Sequence, residues 1–233
     1  MATGIRVEGL TFGFGEKRVL DGISFDAPVG EALVILGPSG VGKTTLLRIL
    51  AGLLPPSAGT VHLSGEGGGV PSRIVFQEPR LFPWLSVRGN IAFALKAAGV
   101  AKPEWEARYL PLLEQAGLAD AIDLPVQALS GGMAQRVALV RGLCVQPRAL
   151  LLDEPFSALD PKLRAQLQDA LLRLIRLTGV TVVMVTHDID EALKIGDEIL
   201  FLDGSPATAH MRLRPKSSPS QEIERLKRMV IGA

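Results

Sequence analysis

A single cysteine, Cys144, stands in a chain of 233 residues, so no internal disulfide can form. A disulfide-stapled secreted domain is excluded, and a reducing compartment is expected. The same shortage removes a thiolate zinc site, and three histidines are too few and too scattered to replace the missing sulfurs. No charge of one sign prevails: 25 Lys and Arg stand against 24 Asp and Glu, a net charge of +1. Proteins that coat nucleic acid usually carry a strong basic excess, so the balance argues against nucleic acid as the main partner while leaving room for a local phosphate site. Long apolar runs are missing too. Runs such as Val182-Val183-Met184-Val185 are a handful of residues and fall far below the roughly 20 residues that a bilayer span needs. Met1-Ala2-Thr3-Gly4-Ile5-Arg6 leads into mixed polar residues without an apolar h-region, and no signal peptide is expected.

What is present is ample core material. Hydrophobic residues make up 47% of the chain, which excludes wholesale disorder, and the length fits one or two domains. Mean hydropathy is +0.29, high for a chain without a span; buried strands and partner-facing surfaces account for such a value. The first sixty residues read as strands and turns, with Ala32-Leu33-Val34-Ile35-Leu36 apolar throughout, as a strand buried on both faces should be. A helix is expected from Lys43 to Ala51, stopped by Gly52 and Pro55-Pro56, and a strand at Ile74–Phe76. From about Ser86 to Val145 the pattern is helical, clearest at Glu104–Gln115 and Gly131–Val145. Strand and helix then alternate: Leu150–Leu152, Pro161–Leu177, Val180–Val185, Ile189–Ile195 and a last strand at Ile199–Leu202. Such alternation means a parallel sheet with helical crossovers. After a linker at Arg214–Pro219, Ser218 and Gln221 fit a capping box with Pro219 at N1, and a short helix should follow. Ile223, Leu226 and Val230 share one face of it, either docked on the chain's own domain or offered to a partner.

Gly37-Pro38-Ser39-Gly40-Val41-Gly42-Lys43-Thr44 matches the P-loop pattern G-x-x-x-x-G-K-[ST]. Glycines let the backbone curl so that several N–H groups face phosphate oxygens, and the next helix presents its positive end to the same anion. Lys43 supplies a point charge, and Thr44 a hydroxyl oxygen for Mg²⁺. A chance glycine-rich turn is the plain alternative; an apolar strand before it and a helix after it count against chance. Leu150-Leu151-Leu152-Asp153-Glu154 offers the carboxylate that a P-loop needs for its metal, at the strand end where ligands of open parallel sheets bind.

Further motifs narrow the class. Leu129-Ser130-Gly131-Gly132-Met133 with Gln135-Arg136, Gln77 placed 77 − 43 = 34 residues after Lys43, Ser157-Ala158-Leu159-Asp160, and His187 in Thr186-His187-Asp188 occur in the order found in ATP-binding cassette (ABC) ATPases. The chain resembles that family from about residue 5 to 203. Gln77-Glu78-Pro79-Arg80-Leu81-Phe82-Pro83-Trp84-Leu85-Ser86-Val87-Arg88-Gly89-Asn90 and Thr186-His187-Asp188-Ile189-Asp190-Glu191-Ala192 are similar to the nitrate/sulfonate/taurine branch of bacterial importer ATPases. The resemblance implies an α/β fold: a P-loop NTPase core with a mainly parallel sheet, an N-terminal antiparallel β subdomain and an inserted α-helical subdomain. It implies an ATPase domain over 1–211, its helical part at about 86–146, and a linker with a short helix over 212–233.

It further implies ATP and Mg²⁺ as ligands. Gly37 to Thr45 would bind ATP, including Pro38, Ser39, Gly40, Val41, Gly42, Lys43, Thr44 and Thr45, and Phe14 would stack on adenine with Phe12 as the alternative. Thr44, Gln77 and Asp153 would meet the metal. Glu154 would act as general base or positioner of the attacking water, with His187, Gln77, Lys43 and Asp160 as catalytic partners. Ser130, Gly131 and Gly132 would reach the ATP of a second copy, so two copies would sandwich two ATP molecules. Partners implied are that second copy, integral-membrane permease subunits and, indirectly, a periplasmic or extracellular solute-binding protein, with the chain peripheral on the inner face of the cell membrane. A cassette ATPase acting on nucleic acid or ribosomes is the second reading; the long coiled-coil insertion or paired cassettes of such proteins are not in this sequence. Phe82-Pro83-Trp84-Leu85 would help form the permease docking groove, or else pack between the two lobes. Three departures stand out: Gly142 where the family commonly has alanine, a phenylalanine in place of the usual adenine-stacking tyrosine, and a short glycine-rich loop at Gly65–Ser72.

Overall fold

The structure, a computed structural model, describes residues 3–63, 71–157 and 159–231. Most of the glycine-rich loop at 65–72 and Ala158 of the Ser157–Asp160 motif lie outside them. The chain divides into two compact units: Met1–Glu66 with Leu151–Glu154 and Thr181–Ala233, and Gly67–Leu150 with Pro155–Val180.

The first unit holds two sheets. Strands β1 (Thr3–Phe14) and β2 (Lys17–Pro28) form a hairpin, and β4 (Ala58–Leu63) pairs antiparallel on the other side of β1. Ile5 and Val7, then Leu10 and Phe12 after a register shift between Val7 and Leu10, point inward along β1 and are buried, as a half-covered sheet requires. The second sheet runs in the order β6-β7-β3-β8-β9, with β3 (Ala32–Leu36), the C-terminal end of β6 (Ala149–Asp153), β7 (Thr181–Thr186), β8 (Glu198–Asp203) and β9 (Thr208–Leu213). β3 lies parallel to both β7 and β8, and every residue of β3 and β7 is buried. Helices α1 (Lys43–Leu50) and α6 (Ile189–Ile195) pack on β7 and β3 respectively.

The C-terminal helix α7 (Ser220–Ile231) lies against β9 with Leu226 fully buried, so its apolar face is docked on its own unit. Ionic contacts tie the segment before it down. Arg214 pairs with Glu31 at 2.9 Å and with buried Glu198 at 3.1 Å, Arg212 pairs with Glu198, and Lys216 meets Asp197 at 2.6 Å. Burial alone would raise the Asp197 carboxyl, but the Lys216 ammonium and the Ala32 N–H hold it below the usual range.

The second unit is mainly helical: β5 (Ser72–Val75), α2 (Val87–Ala97), α3 (Trp105–Gln115), α4 (Gly131–Leu143), the first residues of β6, and α5 (Pro161–Thr178). Its helix ends follow capping chemistry. Ser86 accepts the Gly89 N–H at the start of α2, Ser130 accepts that of Met133 at the start of α4, and Asp160 accepts those of Lys162 and Leu163 at the start of α5. Gly179 closes α5 at φ 62. Arg88 bonds Asp123 at 2.7 Å and the Tyr109 hydroxyl at 2.9 Å, and it holds the Asp123 carboxyl below its usual range.

Strands β4 and β9 go beyond the sequence reading, which ended the strands at Leu202 and named none at 58–63. Both are sheet edges with mostly exposed or half-buried residues, so neither carries a strong apolar pattern. Among the described residues no helix is long and apolar enough to cross a membrane.

Candidate functional site

The turn between β3 and α1 is shaped by glycine. Gly42 caps α1 at φ 114, where a side chain would be strained, and a Cβ there would press on Leu20 and Val19. At Gly37 a Cβ would collide with the Leu202 carbonyl oxygen. Lys43, only 4% exposed, donates from Nζ to the Gly37 and Pro38 carbonyls, 2.8 Å each. Burial pulls its ammonium pKa down, against the attraction of Glu154 and Asp153. A cation held dry beside these carbonyls is poised for an anion.

Thr44 donates its hydroxyl to Asp153 Oδ1 at 2.8 Å, which joins the P-loop to the end of β6. Burial raises the Asp153 carboxyl, and that cost falls when a cation sits at the carboxylate. Hydroxyl and carboxylate oxygens are the donors that Mg²⁺ takes, so the pair fits that ion. Among the described residues no cluster of three or more acids, histidines and cysteines forms a metal cage.

Glu154 follows with a left-handed backbone, φ 44, rare for a residue with a side chain. Its N–H donates to the Val185 carbonyl at 3.1 Å. Its Oε2 lies 3.1 Å from His187 Nδ1 and its Oε1 3.9 Å from Lys43 Nζ. His187, on the turn after β7, is exposed. Carboxylate, imidazole and ammonium thus converge beside the P-loop, where they can orient a water against a terminal phosphate.

Beside the P-loop, Arg18, Val19, Ser39, Gly40, Asp203 and Gly204 help line a cleft of about 280 Å³. Phe14 ends β1, paired with Lys17 across the hairpin, and is 57% exposed with its ring edge-to-face on Phe12 at 4.9 Å. Phe12 is 7% exposed, so of the two only Phe14 can offer a ring to a base.

The first unit brings together the P-loop, Asp153, Glu154 and His187, and it also carries Phe14. Gln77, Ser130, Gly131, Gly132 and Asp160 belong to the second. There Gln77 is exposed after β5, and Ser130 and Gly131 are exposed at the N-terminal end of α4. Gly132 is buried against Leu163, which a Cβ would meet at 3.4 Å. Asp160 is exposed and spends Oδ1 on capping α5. Sequence reasoning gave no separate role to Thr186 or Glu191. Thr186 donates its hydroxyl to buried Glu191 at 2.7 Å, and only the spacing Thr-x-x-x-x-Glu across a strand-to-helix turn could have signalled it.

A mainly parallel sheet, a glycine-shaped P-loop and an acid-tipped strand one place removed from the P-loop strand define a P-loop nucleoside-triphosphate-binding protein. Residues 20–157, more than half of the chain, match the ABC transporter family, and the chain belongs to that family. It is an ABC ATPase. It is 51% identical over 219 residues to the aliphatic sulfonates import ATP-binding protein SsuB 1 of Xanthomonas axonopodis pv. citri (strain 306), covering 90% of this chain and 86% of that protein. It is 42% identical over 212 residues to the taurine import ATP-binding protein TauB of Yersinia pestis bv. Antiqua, covering 90% and 83%. Among solved structures it is similar to cbiO1 from Clostridium perfringens, part of the ABC transporter complex cbiONQ. The TM-score is 0.84 at 27% identity, covering 97% of this chain and 94% of that one.

Proposed function

We propose that this chain is the ATP-hydrolysing subunit of a bacterial ABC importer for a small anionic or zwitterionic solute, of the class of aliphatic sulfonates, taurine or nitrate. The observation that carries the chemistry is the convergence of Lys43, Thr44, Asp153, Glu154 and His187 beyond the C-terminal ends of β3, β6 and β7. The cargo class is supported by the relatives that import sulfonates and taurine.

ATP binds with its phosphates in the P-loop, its base on Phe14, and its charge met by Lys43. Thr44 and Asp153 would hold Mg²⁺, which would neutralise phosphate charge. Glu154 orients and deprotonates the attacking water, and His187 keeps that carboxylate aimed and meets the terminal phosphate. The roles of Gln77 and Asp160 rest on the motif resemblance. Ser130, Gly131 and Gly132 present a helix N-terminus to the γ-phosphate of a second copy, which makes a C2 pair with ATP in the interface. The pair docks on permease subunits at the inner face of the membrane, in part through the Phe82–Leu85 segment. An external solute-binding protein delivers cargo to those subunits.

The test is steady-state ATP hydrolysis with Mg²⁺. Glu154→Gln keeps ATP affinity and loses on the order of 10²–10⁴ in turnover. Unchanged turnover removes Glu154 from the mechanism.

A further inference from the structure

We propose that Glu191 is a positioning residue for His187: its buried carboxylate, acting through the Thr186 hydroxyl, fixes the strand-to-helix turn that holds the imidazole against Glu154. The inference rests on the reading of the ATP site given above.

His187 is not held by packing, since its side chain is 49% exposed. What fixes it is the backbone on either side. Thr186, the last residue of β7, is 2% exposed and lies level with Leu36, the residue before the P-loop. Its hydroxyl donates to Glu191 Oε2 at 2.7 Å and accepts the Asp188 N–H at 3.1 Å, so the residues before and after His187 are joined through one oxygen. Asp188 then accepts the N–H groups of Asp190 and Glu191 and starts α6. On the other side, the Glu154 N–H is bonded to Val185 of the same strand. Both members of the Glu154–His187 pair therefore hang from the end of β7, and Glu191 locks the half that carries the imidazole.

The buried position of Glu191 calls for a reason. It is 4% exposed on a helix that packs on β3, where an apolar side chain would avoid the cost of burying a carboxylate. A leucine there would fill space but leave the Thr186 hydroxyl without its acceptor. A catalytic side chain on a surface turn needs such a supporting contact to stay within a fraction of an ångström of its working place.

The experiment compares full-length Glu191→Leu, Glu191→Gln and Thr186→Val in ATP turnover, KM for ATP and affinity for a fluorescent ATP analogue, with thermal melting as the check on folding. Glu191→Leu and Thr186→Val should lower kcat on the order of ten- to a hundredfold while KM and analogue affinity stay near wild type. Glu191→Gln keeps an acceptor at the same reach and should recover most of the turnover. On a His187→Ala background, Glu191→Leu should cause no further loss, because the relay then has nothing to position. Should Glu191→Leu melt early, Thr186→Val, which loses only a hydroxyl, carries the same comparison. Wild-type kcat in Thr186→Val, or a further loss on the His187→Ala background, overturns the relay while leaving the site reading intact. Full turnover in His187→Ala overturns both.

Discussion

Glu154 holds a left-handed backbone that costs a residue with a side chain about 1–3 kcal/mol, and it persists because its neighbours fix it. Its N–H is bonded to Val185 and its carboxylate faces His187 and Lys43. The turn sends Asp153 and Glu154 to different tasks: Asp153 stays in strand geometry on the Thr44 hydroxyl, and Glu154 swings to the histidine. The Asp-Glu pair at the end of an apolar run was legible from residue type alone, as was the P-loop. The left-handed turn was not, because nothing in the dipeptide marks it; it arises from bonds to β7, more than thirty residues away. Phe14 was legible only as one of two candidates; the two differ in burial, a tertiary property, with Phe14 exposed and Phe12 buried. Phe14→Ala should weaken ATP binding by about 1–3 kcal/mol, the worth of a base stacked on an aromatic ring. Melting should barely change, because the ring is mostly exposed. Calorimetric titration with ATP reads the first; unchanged affinity would remove Phe14 from the site.

Elements with strong patterns were readable: β3 and β7 are continuous apolar runs, and α5 is framed by Asp160, Pro161 and Gly179. Edges β4 and β9 were not, because an exposed edge strand needs little apolar alternation. In α4, Gly142 looked like a weak point worth about 0.5–1 kcal/mol against alanine. The packing gives it a reason. A Cβ at 142 would stand 3.2 Å from Leu150 and 3.4 Å from Val75, so the propensity gained by alanine is offset by crowding where α4 meets β5 and β6. The segment before α2 shows a surface instead of a core. Trp84 is 75% exposed; the Phe82 ring meets it at a tilt at 5.5 Å and meets the half-exposed Phe93 edge-to-face at 4.6 Å. Exposed aromatics gathered on one element mark a partner site. Trp84→Ala should therefore leave the melting temperature of the isolated chain nearly unchanged, where a core tryptophan would cost about 3–5 kcal/mol. Assembly with the permease subunits should fall, as read by co-purification. A sharply lowered melting temperature would place Trp84 in the core and refute the docking role.

For the molecule as a whole, the sequence marked a helical insertion at about 86–146, but α5 also groups with the helical unit, and the first unit collects three separate stretches of chain. That grouping is made by contacts between distant segments, so local patterns could not reveal it. The division also sorts the motifs. The groups proposed for hydrolysis, Lys43, Thr44, Asp153, Glu154 and His187, lie in one unit, and the exposed start of α4, Ser130 with Gly131, lies in the other. Backbone N–H groups at such a helix end attract phosphate. If they serve a second copy, ATP is the adhesive of an isologous dimer and its hydrolysis is the release. The most direct measurement is light scattering on the Glu154→Gln chain, which holds ATP without consuming it, with and without Ser130→Arg. ATP should double the mass of Glu154→Gln and leave the double variant monomeric though still ATP-bound. Dimers that persist with arginine at position 130, or a Glu154→Gln chain that stays monomeric at saturating ATP, would contradict the account.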